Sequence, residues 1–352
     1  NTSLYRAMMM GASIGLVLLC FQVPLALLSL ELFGASQEVE DHAKQYFDIR
    51  IWTAPISLMH LAIIGYLIGI QKTRAVLIIQ LVLNGSNILL DLIFVNLLGW
   101  GIPGVAFATV ISEFLAFGLG IFIVSKKLNL TFSPATLFNA EKLKTMILVN
   151  RDIMVRTLCL IFAFAWFTNQ GAKYGDVTLA ANAILLHLVS LSAFFLDGFA
   201  LAAETLVGAA VGEKNRSTLH QIIKLCTELA VLTAISLSLA FWLMGSWIIS
   251  LMSNVDLVLI EAEEYLIWVI LAPIVSVWCY LLDGIFIGAT RTAEMRNAMI
   301  ISLLGFIAIW YVGEIILWES ARNHGLWGSL LAYFILRALA LNYYLPRLKS
   351  LN

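Results

Sequence analysis

The chain has 352 residues, 61% of them hydrophobic and only 12% charged, with a net charge of −1. A soluble globular domain carries about 25% charged residues, so this composition excludes a water-covered surface, and the near-zero net charge argues against nucleic acid as a partner. The four cysteines, Cys20, Cys159, Cys226 and Cys279, all lie in apolar runs without CxxC pairing, which reads as small apolar filler rather than metal or disulfide chemistry.

A membrane span needs about 20 mostly apolar residues. In chain order, such stretches fall roughly at 5–30, 52–71, 75–98, 103–124, 149–171, 177–201, 217–247, 262–288, 294–318 and 326–344. Sustained alternation of period two is missing, so the expected class is an all-α polytopic membrane protein with ten spans. The longest polar gaps are 31–50 and 125–148. The second divides the chain into an N-terminal lobe, 1–124, a cytoplasmic linker, 125–148, and a C-terminal lobe, 149–352.

Lys and Arg set orientation. With 125–148 inside, fifteen basic residues, among them Lys72, Arg74, Lys214, Arg216 and Arg291, fall at one set of helix ends, against Lys44, Arg50, Lys173 and Arg322 at the other. The linker and the C-terminus are therefore expected in the cytoplasm, with Glu38–Asp41 and Glu261–Glu264 outside.

The two lobes repeat one another. Gly101-Ile102-Pro103-Gly104 returns as Gly325-Leu326-Trp327-Gly328, and Ala54-Pro55 with Gly65 and Gly69 returns as Ala272-Pro273 with Gly284 and Gly288. So long a period marks a duplicated half-protein, a habit of transporters, rather than a solenoid. By this ruler the counterpart of 149–215, two helices, is missing ahead of Asn1, so ten of twelve helices and an N-terminal truncation are expected. The glycine pairs are small-xxx-small stripes that would let helices approach closely, and Pro55 and Pro273 should kink their helices wherever they lie inside one.

Several stretches resemble the multidrug and toxic compound extrusion (MATE) family, most nearly its DinF-type, DNA-damage-inducible bacterial branch. They are Trp278 to Asn297, Leu148-Val149-Asn150-Arg151-Asp152-Ile153-Met154, Asn323-His324-Gly325-Leu326-Trp327, and Gly208 to Asn215, which is similar to the family's Gly-rich turn. The resemblance implies a V-shaped bundle of two six-helix lobes. It implies secondary active export of organic, often cationic or amphipathic, compounds by rocking alternating access, driven by H+ or Na+. It also implies a multi-pass protein of the bacterial inner membrane, working as a monomer and without an organic cofactor.

Ionisable groups inside spans cost roughly 2.5–3.5 kcal/mol each at mid-helix on insertion scales, so each needs a reason. Asn87 and Asp91 are four apart on one helix face, and Thr109 follows the Gly-x-x-Gly turn on the next span. An amide oxygen, a carboxylate and a hydroxyl are hard ligands suited to Na+ or to a proton relay; a buried polar cluster that fixes helix register is the alternative. The resemblance implies a cation site of this spacing in the N-terminal half, completed by a carboxylate on a helix this chain lacks. Asp283 and Asp197 are candidates for coupling or substrate contact. The resemblance implies an acid on the helix of Asp283, but at a different distance from the following turn. Asp152 and Arg156 are four apart and read as an internal ion pair. His187 and Asn182 share an apolar helix, where a satisfied core role competes with a relay. Arg337 reads as packing or snorkelling. Phe162, Phe164, Trp166, Phe194 and Phe195 are candidate cavity-lining rings. No HExxH, GxSxG or clustered Cys/His ligand pattern occurs, so enzyme chemistry is not expected. The competing readings are a lipid-linked oligosaccharide flippase, which would need a basic cavity, and an inactive truncated remnant.

Overall fold

A computed structural model describes residues 2–33, 37–127, 139–317 and 321–349. All elements among the described residues are helical. They form two compact units that divide at Leu143/Lys144, inside the expected linker; residues 128–138 of that linker lie outside the described residues.

The first unit holds α1 (Thr2–Cys20), α2 (Gln22–Phe33), α3 (Gln37–Arg50), α4 (Ala54–Gly69), α5 (Thr73–Asp91) and α6 (Gly101–Lys127). The apolar stretch 5–30 is broken at Phe21 because Pro24 has no N–H and its ring crowds the carbonyl four residues back; Phe21 N–H to Val17 O (3.0 Å) and Leu25 N–H to Phe21 O (3.0 Å) carry the chain through. The polar gap 31–50 is not a loop: Gln37–Arg50 is helix. Its residues include strong helix formers and neither Gly nor Pro, which a hydropathy reading alone misses. A 3-10 turn, Ile51–Thr53, leads into α4, so Pro55 lies in a first helical turn and kinks nothing. Leu4, Ile63, Ile64, Leu67, Ile79 and Ala116 form this unit's core.

The second unit holds α7 (Ala140–Ala172) from Lys144 onward, α8 (Asp176–Gly212), α9 (Arg216–Met252), α10 (Asp256–Gly288), α11 (Thr292–Ile316) and α12 (Arg322–Lys349). Here α10 is central, packed against α8, α9 and α12, while α11 pairs with α12. Pro273 does lie within α10. Phe167, Trp327, Phe306, Tyr333 and Phe334 fill one core, and Val207, Leu219, Leu281, Ile285 and Phe286 fill a second toward the other end of the helices.

Nine segments among the described residues are long and apolar enough to cross a membrane. The tenth expected span, 149–171, is folded within the 33-residue α7 but stands apart from those nine: Arg151, Asp152 and Arg156 interrupt it.

Three interhelical turns are built alike. Gln71 (φ 60°), Lys214 (φ 54°) and Thr290 (φ 58°) are left-handed without being glycine. At each, the residue's own N–H reaches back three residues and the next N–H five, as in Lys214 N–H to Val211 O (3.1 Å) and Asn215 N–H to Ala210 O (3.0 Å). This is the Schellman closure, which satisfies the orphan carbonyls of a helix end.

The duplicated glycine stripes differ. A Cβ on Gly284 would fall on the carbonyl of Ala200, and one on Gly288 on that of Glu204, so α8 and α10 touch backbone to backbone. Around Gly65 and Gly69 no described atom lies within 4 Å of such a Cβ. The close approach in the first unit is made instead by Gly15 and Gly11 of α1, against Pro55 and Leu58 of α4.

Candidate functional site

In the first unit, α5 and α6 run side by side and bring the amide of Asn87 to the hydroxyl of Thr109, with Nδ2 donating at 3.2 Å. Thr109 in turn donates to Val105 O at 2.9 Å. Asp91 stands one turn along α5 from Asn87, and its Oδ1 is sealed from solvent without a hydrogen-bond partner among the described residues. Directly after Asp91 the backbone widens into a π-helical turn, Leu92–Leu97, with Leu98 N–H bonded to Ile93 O at 2.9 Å. Such turns recur at functional sites because they break the register of the side chains that follow. Gly99 (φ 67°) and Gly101 (φ 59°) then reverse the chain in a conformation that suits glycine. Trp100 closes the corner, stacked on Phe94 at 4.9 Å between centroids. The sequence spacing foretold the Asn87–Thr109 contact but not the π turn.

A second cluster in the same unit was not foreseen. Glu113, one turn along α6 from Thr109, accepts from Arg50 (2.8 Å) and from the Ser57 hydroxyl (2.5 Å). His60 lies one turn along α4 from Ser57, 5% exposed, with both ring nitrogens buried and unpartnered among the described residues. The signal was available: Thr109 and Glu113 are four apart, and Ser57 and His60 three, the spacings that share a helix face.

In the second unit the expected Asp152–Arg156 pair is replaced by two longer-range clusters. Asp152 binds Arg296 of α11 at 2.7 Å and its neighbour Arg151 at 3.0 Å, with the Thr292 hydroxyl at 3.5 Å. Arg156 reaches instead to Asp283 of α10, at 3.0 Å from Nε and 2.5 Å from Nη2. Arg337 of α12, 1% exposed, bonds the same Asp283 oxygen and lies 5.6 Å from the Tyr280 ring. Arg337 therefore does not snorkel. An exposed i,i+4 pair contributes only about 0.3–0.5 kcal/mol, whereas a buried guanidinium with no carboxylate is far costlier, so the interhelical partners win. Asp197 of α8 lies within electrostatic reach of both arginines.

Asn182 is a structural node. It exchanges hydrogen bonds with Asn323 (2.8 and 3.1 Å) and accepts from Trp327 Nε1 at 2.8 Å, all buried. His187, five residues on, is exposed along a cavity of about 360 Å³ together with Phe164, Thr168 and Ser190. Of the other candidate rings, Phe162 and Trp166 stack on each other at 5.9 Å, while Phe194 and Phe195 are exposed. At the opposite helix ends from Lys214, Tyr174 donates to Glu314 (2.8 Å), which also meets Arg322 (3.4 Å); Thr178 donates to Glu261 (2.7 Å), and Trp268 donates to His324 (3.0 Å), beside Glu264. Burial and the Glu314 carboxylate push the Tyr174 phenol up to about 12.

Comparison with known proteins agrees with this architecture. The MatE family model matches residues 1–93 and 153–312. DNA damage-inducible protein F of Escherichia coli (strain K12) is 35% identical over 347 residues, covering 96% of this chain and 73% of that protein. Protein DETOXIFICATION 43 of Arabidopsis thaliana is 28% identical over 337 residues, 95% of this chain and 62% of that protein. Among solved structures, a MOP superfamily transporter from Pyrococcus furiosus superposes with a TM-score of 0.89 at 17% identity, covering all of this chain and 79% of that one. A MATE transporter in complex with MaL6 superposes at 0.87, with the same identity and coverage. The multi-pass helical architecture, the family-model match and the shared sequence together make the chain a membrane transporter that belongs to the MatE family.

Proposed function

We propose that the chain exports drug-like or toxic organic compounds in exchange for H+ or Na+ by alternating access, with Asn87, Asp91 and Thr109 as the coupling-cation ligands of the first unit. The observation that carries this is the buried, unpartnered Oδ1 of Asp91 beside the Asn87–Thr109 hydrogen bond. A carboxylate oxygen sealed in a membrane span asks for a proton or a cation to complete it. The amide and hydroxyl oxygens next to it are ligands that either ion accepts. The chain would work in a bacterial cytoplasmic membrane with its C-terminus in the cytoplasm. The flippase reading is weaker, because Arg156 and Arg337 share Asp283 as a bonded partner and Asp197 lies within electrostatic reach of both, so two acids balance the two arginines.

The test uses sealed vesicles carrying the transporter, loaded with protons or with Na+. Adding a lipophilic cationic substrate should discharge one of the two gradients, and the gradient that responds names the coupling ion. Asp91→Asn should abolish the discharge while leaving the protein in the membrane. An unchanged discharge in Asp91→Asn would remove Asp91 from the coupling site.

A further inference from the structure

Two cavities of the second unit lie along one seam. The first, about 280 Å³, opens at the ends of the helices between the α8–α9 turn and the α10–α11 turn. It is lined by Lys214, Arg216 and Arg291 over a floor that includes Leu219 and Ala289. The second, about 550 Å³, is an apolar groove bounded by Ile223 and Thr227 of α9, the Ile274–Ile285 face of α10, and α12 from Ile335 to Leu345. Leu219 to Ile223 on α9 and Ala289 to Ile285 on α10 are each one helical turn, so the groove begins about 6 Å below the basic cavity along both helices.

We propose that this seam binds one anionic phospholipid, its phosphate held by Lys214, Arg216 and Arg291 and an acyl chain laid in the groove. The charge fits. Three cations face two acids in these turns, Glu213 and Glu294, and the ion pair of Arg291 with Glu294 (3.0 Å) engages Nη1, one part of a guanidinium with five N–H donors. The N-terminal turns of α9 and α11 begin at Arg216 and Thr292, so two positive helix ends flank the same cavity. The length fits as well. Ile274 to Ile285 spans about 16 Å of helix, close to the depth of one leaflet of a hydrocarbon core about 30 Å thick. The rim fits a third time. Trp278, Ile274, Ile335 and Leu339 are 46%, 43%, 45% and 60% exposed, and on membrane-spanning helices the medium that meets them is hydrocarbon. A basic pocket at the membrane boundary with an apolar groove beneath it is the shape of a bound lipid rather than of a free anion.

The experiment is native mass spectrometry of the purified full chain, titrated with phosphatidylglycerol, with phosphatidylethanolamine of the same acyl chains, and with soluble glycerol phosphate. Phosphatidylglycerol should bind at least tenfold more tightly than phosphatidylethanolamine, and glycerol phosphate should leave no adduct. Lys214→Gln, Arg216→Gln and Arg291→Gln should each lower the phosphatidylglycerol affinity about fivefold. Ile285→Trp, which fills the groove without altering charge, should lower it as well. Phosphatidylglycerol carrying brominated acyl chains should quench tryptophan fluorescence, and Trp278→Phe should remove part of that quenching. Equal affinity for the two lipids, or an affinity unmoved by the charge variants, would overturn the proposal. Glycerol phosphate binding as tightly as the lipid would overturn it in favour of a simple anion site, and displacement of the lipid by the exported compound would make the groove part of the transport path instead.

Discussion

Asp283 is wedged between two arginines from different helices, and neither has a cheap alternative. Arg337 is buried to 1% exposure, with Nε and Nη1 already lacking partners among the described residues. Removing one partner of a buried ion pair costs about 3–5 kcal/mol, because the surviving charge is left uncompensated. Asp283→Asn should therefore lower the unfolding temperature in detergent sharply, and adding Arg337→Gln should restore part of the loss. A simple sum of the two single losses would argue against this coupling. Asp283 thus reads as a structural keystone of the second unit, the alternative that competes with the coupling or substrate contact for which its sequence makes it a candidate. Tyr174 carries a pH prediction. In the unfolded chain a phenol ionises near 10, whereas in the fold burial and Glu314 raise it to about 12. The folded state's advantage is full below pH 10 and disappears as pH rises from about 10 to about 12. Tyr174→Phe should remove that slope from a stability-versus-pH curve, measured by chemical unfolding. Legibility varied at this scale for a physical reason. The Asn87–Asp91–Thr109 group follows from spacing on two adjacent helices, which the chain order supplies. The partners of Arg156, Arg296 and Arg337 lie 127, 144 and 54 residues away, and a linear pattern does not say which distant helix faces which.

At the scale of elements, the contact between α8 and α10 rests on absent side chains. Each of Gly284 and Gly288 lets a carbonyl of the neighbouring helix occupy the place of a Cβ. Gly284→Val should force the helices apart, with a cost at or above the roughly 1–3 kcal/mol typical of overpacking, visible as a lowered melting temperature. Gly15→Val, against the Pro55 backbone, should behave the same way in the first unit. The stripe itself was legible in the sequence at Gly65/Gly69 and Gly284/Gly288 alike, yet only the second pair meets a described neighbour. A small-residue stripe states that close approach is allowed, and a partner must still arrive. Pro55 and Pro273 teach the same lesson: identical dipeptides, one in the first turn of a helix and the other within one.

For the whole molecule, composition pointed to a membrane protein, the span-length apolar stretches without period-two alternation pointed to helices, and the family match agrees. Hydropathy was less able to see helices that are not apolar, such as α3, whereas the apolar part of α7 was legible as the stretch 149–171 despite its charges. Orientation is a prediction at this scale. Single cysteines placed at Lys214 and at Lys173, in a background without native cysteines, should react with a membrane-impermeant thiol reagent from opposite sides, Lys214 from the cytoplasm. Labelling of both from one side would contradict the topology.

The tight left-handed turns also bear on how the chain is made. Between Gly212 and Arg216 only three residues join two helices of 37 residues each, and the α4–α5 and α10–α11 connections are equally brief. So short a link cannot stretch across a bilayer: at a maximum of about 3.5 Å per residue, three residues cover near 10 Å of a core about 30 Å thick. Neither helix of such a pair can adopt its direction independently. The two must enter the membrane as one hairpin, and an error in the first is inherited by the second. The basic residues gathered at these turns, Lys72, Arg74, Lys214, Arg216 and Arg291, then act on helices already paired, so each cluster orients two spans at once during biosynthesis.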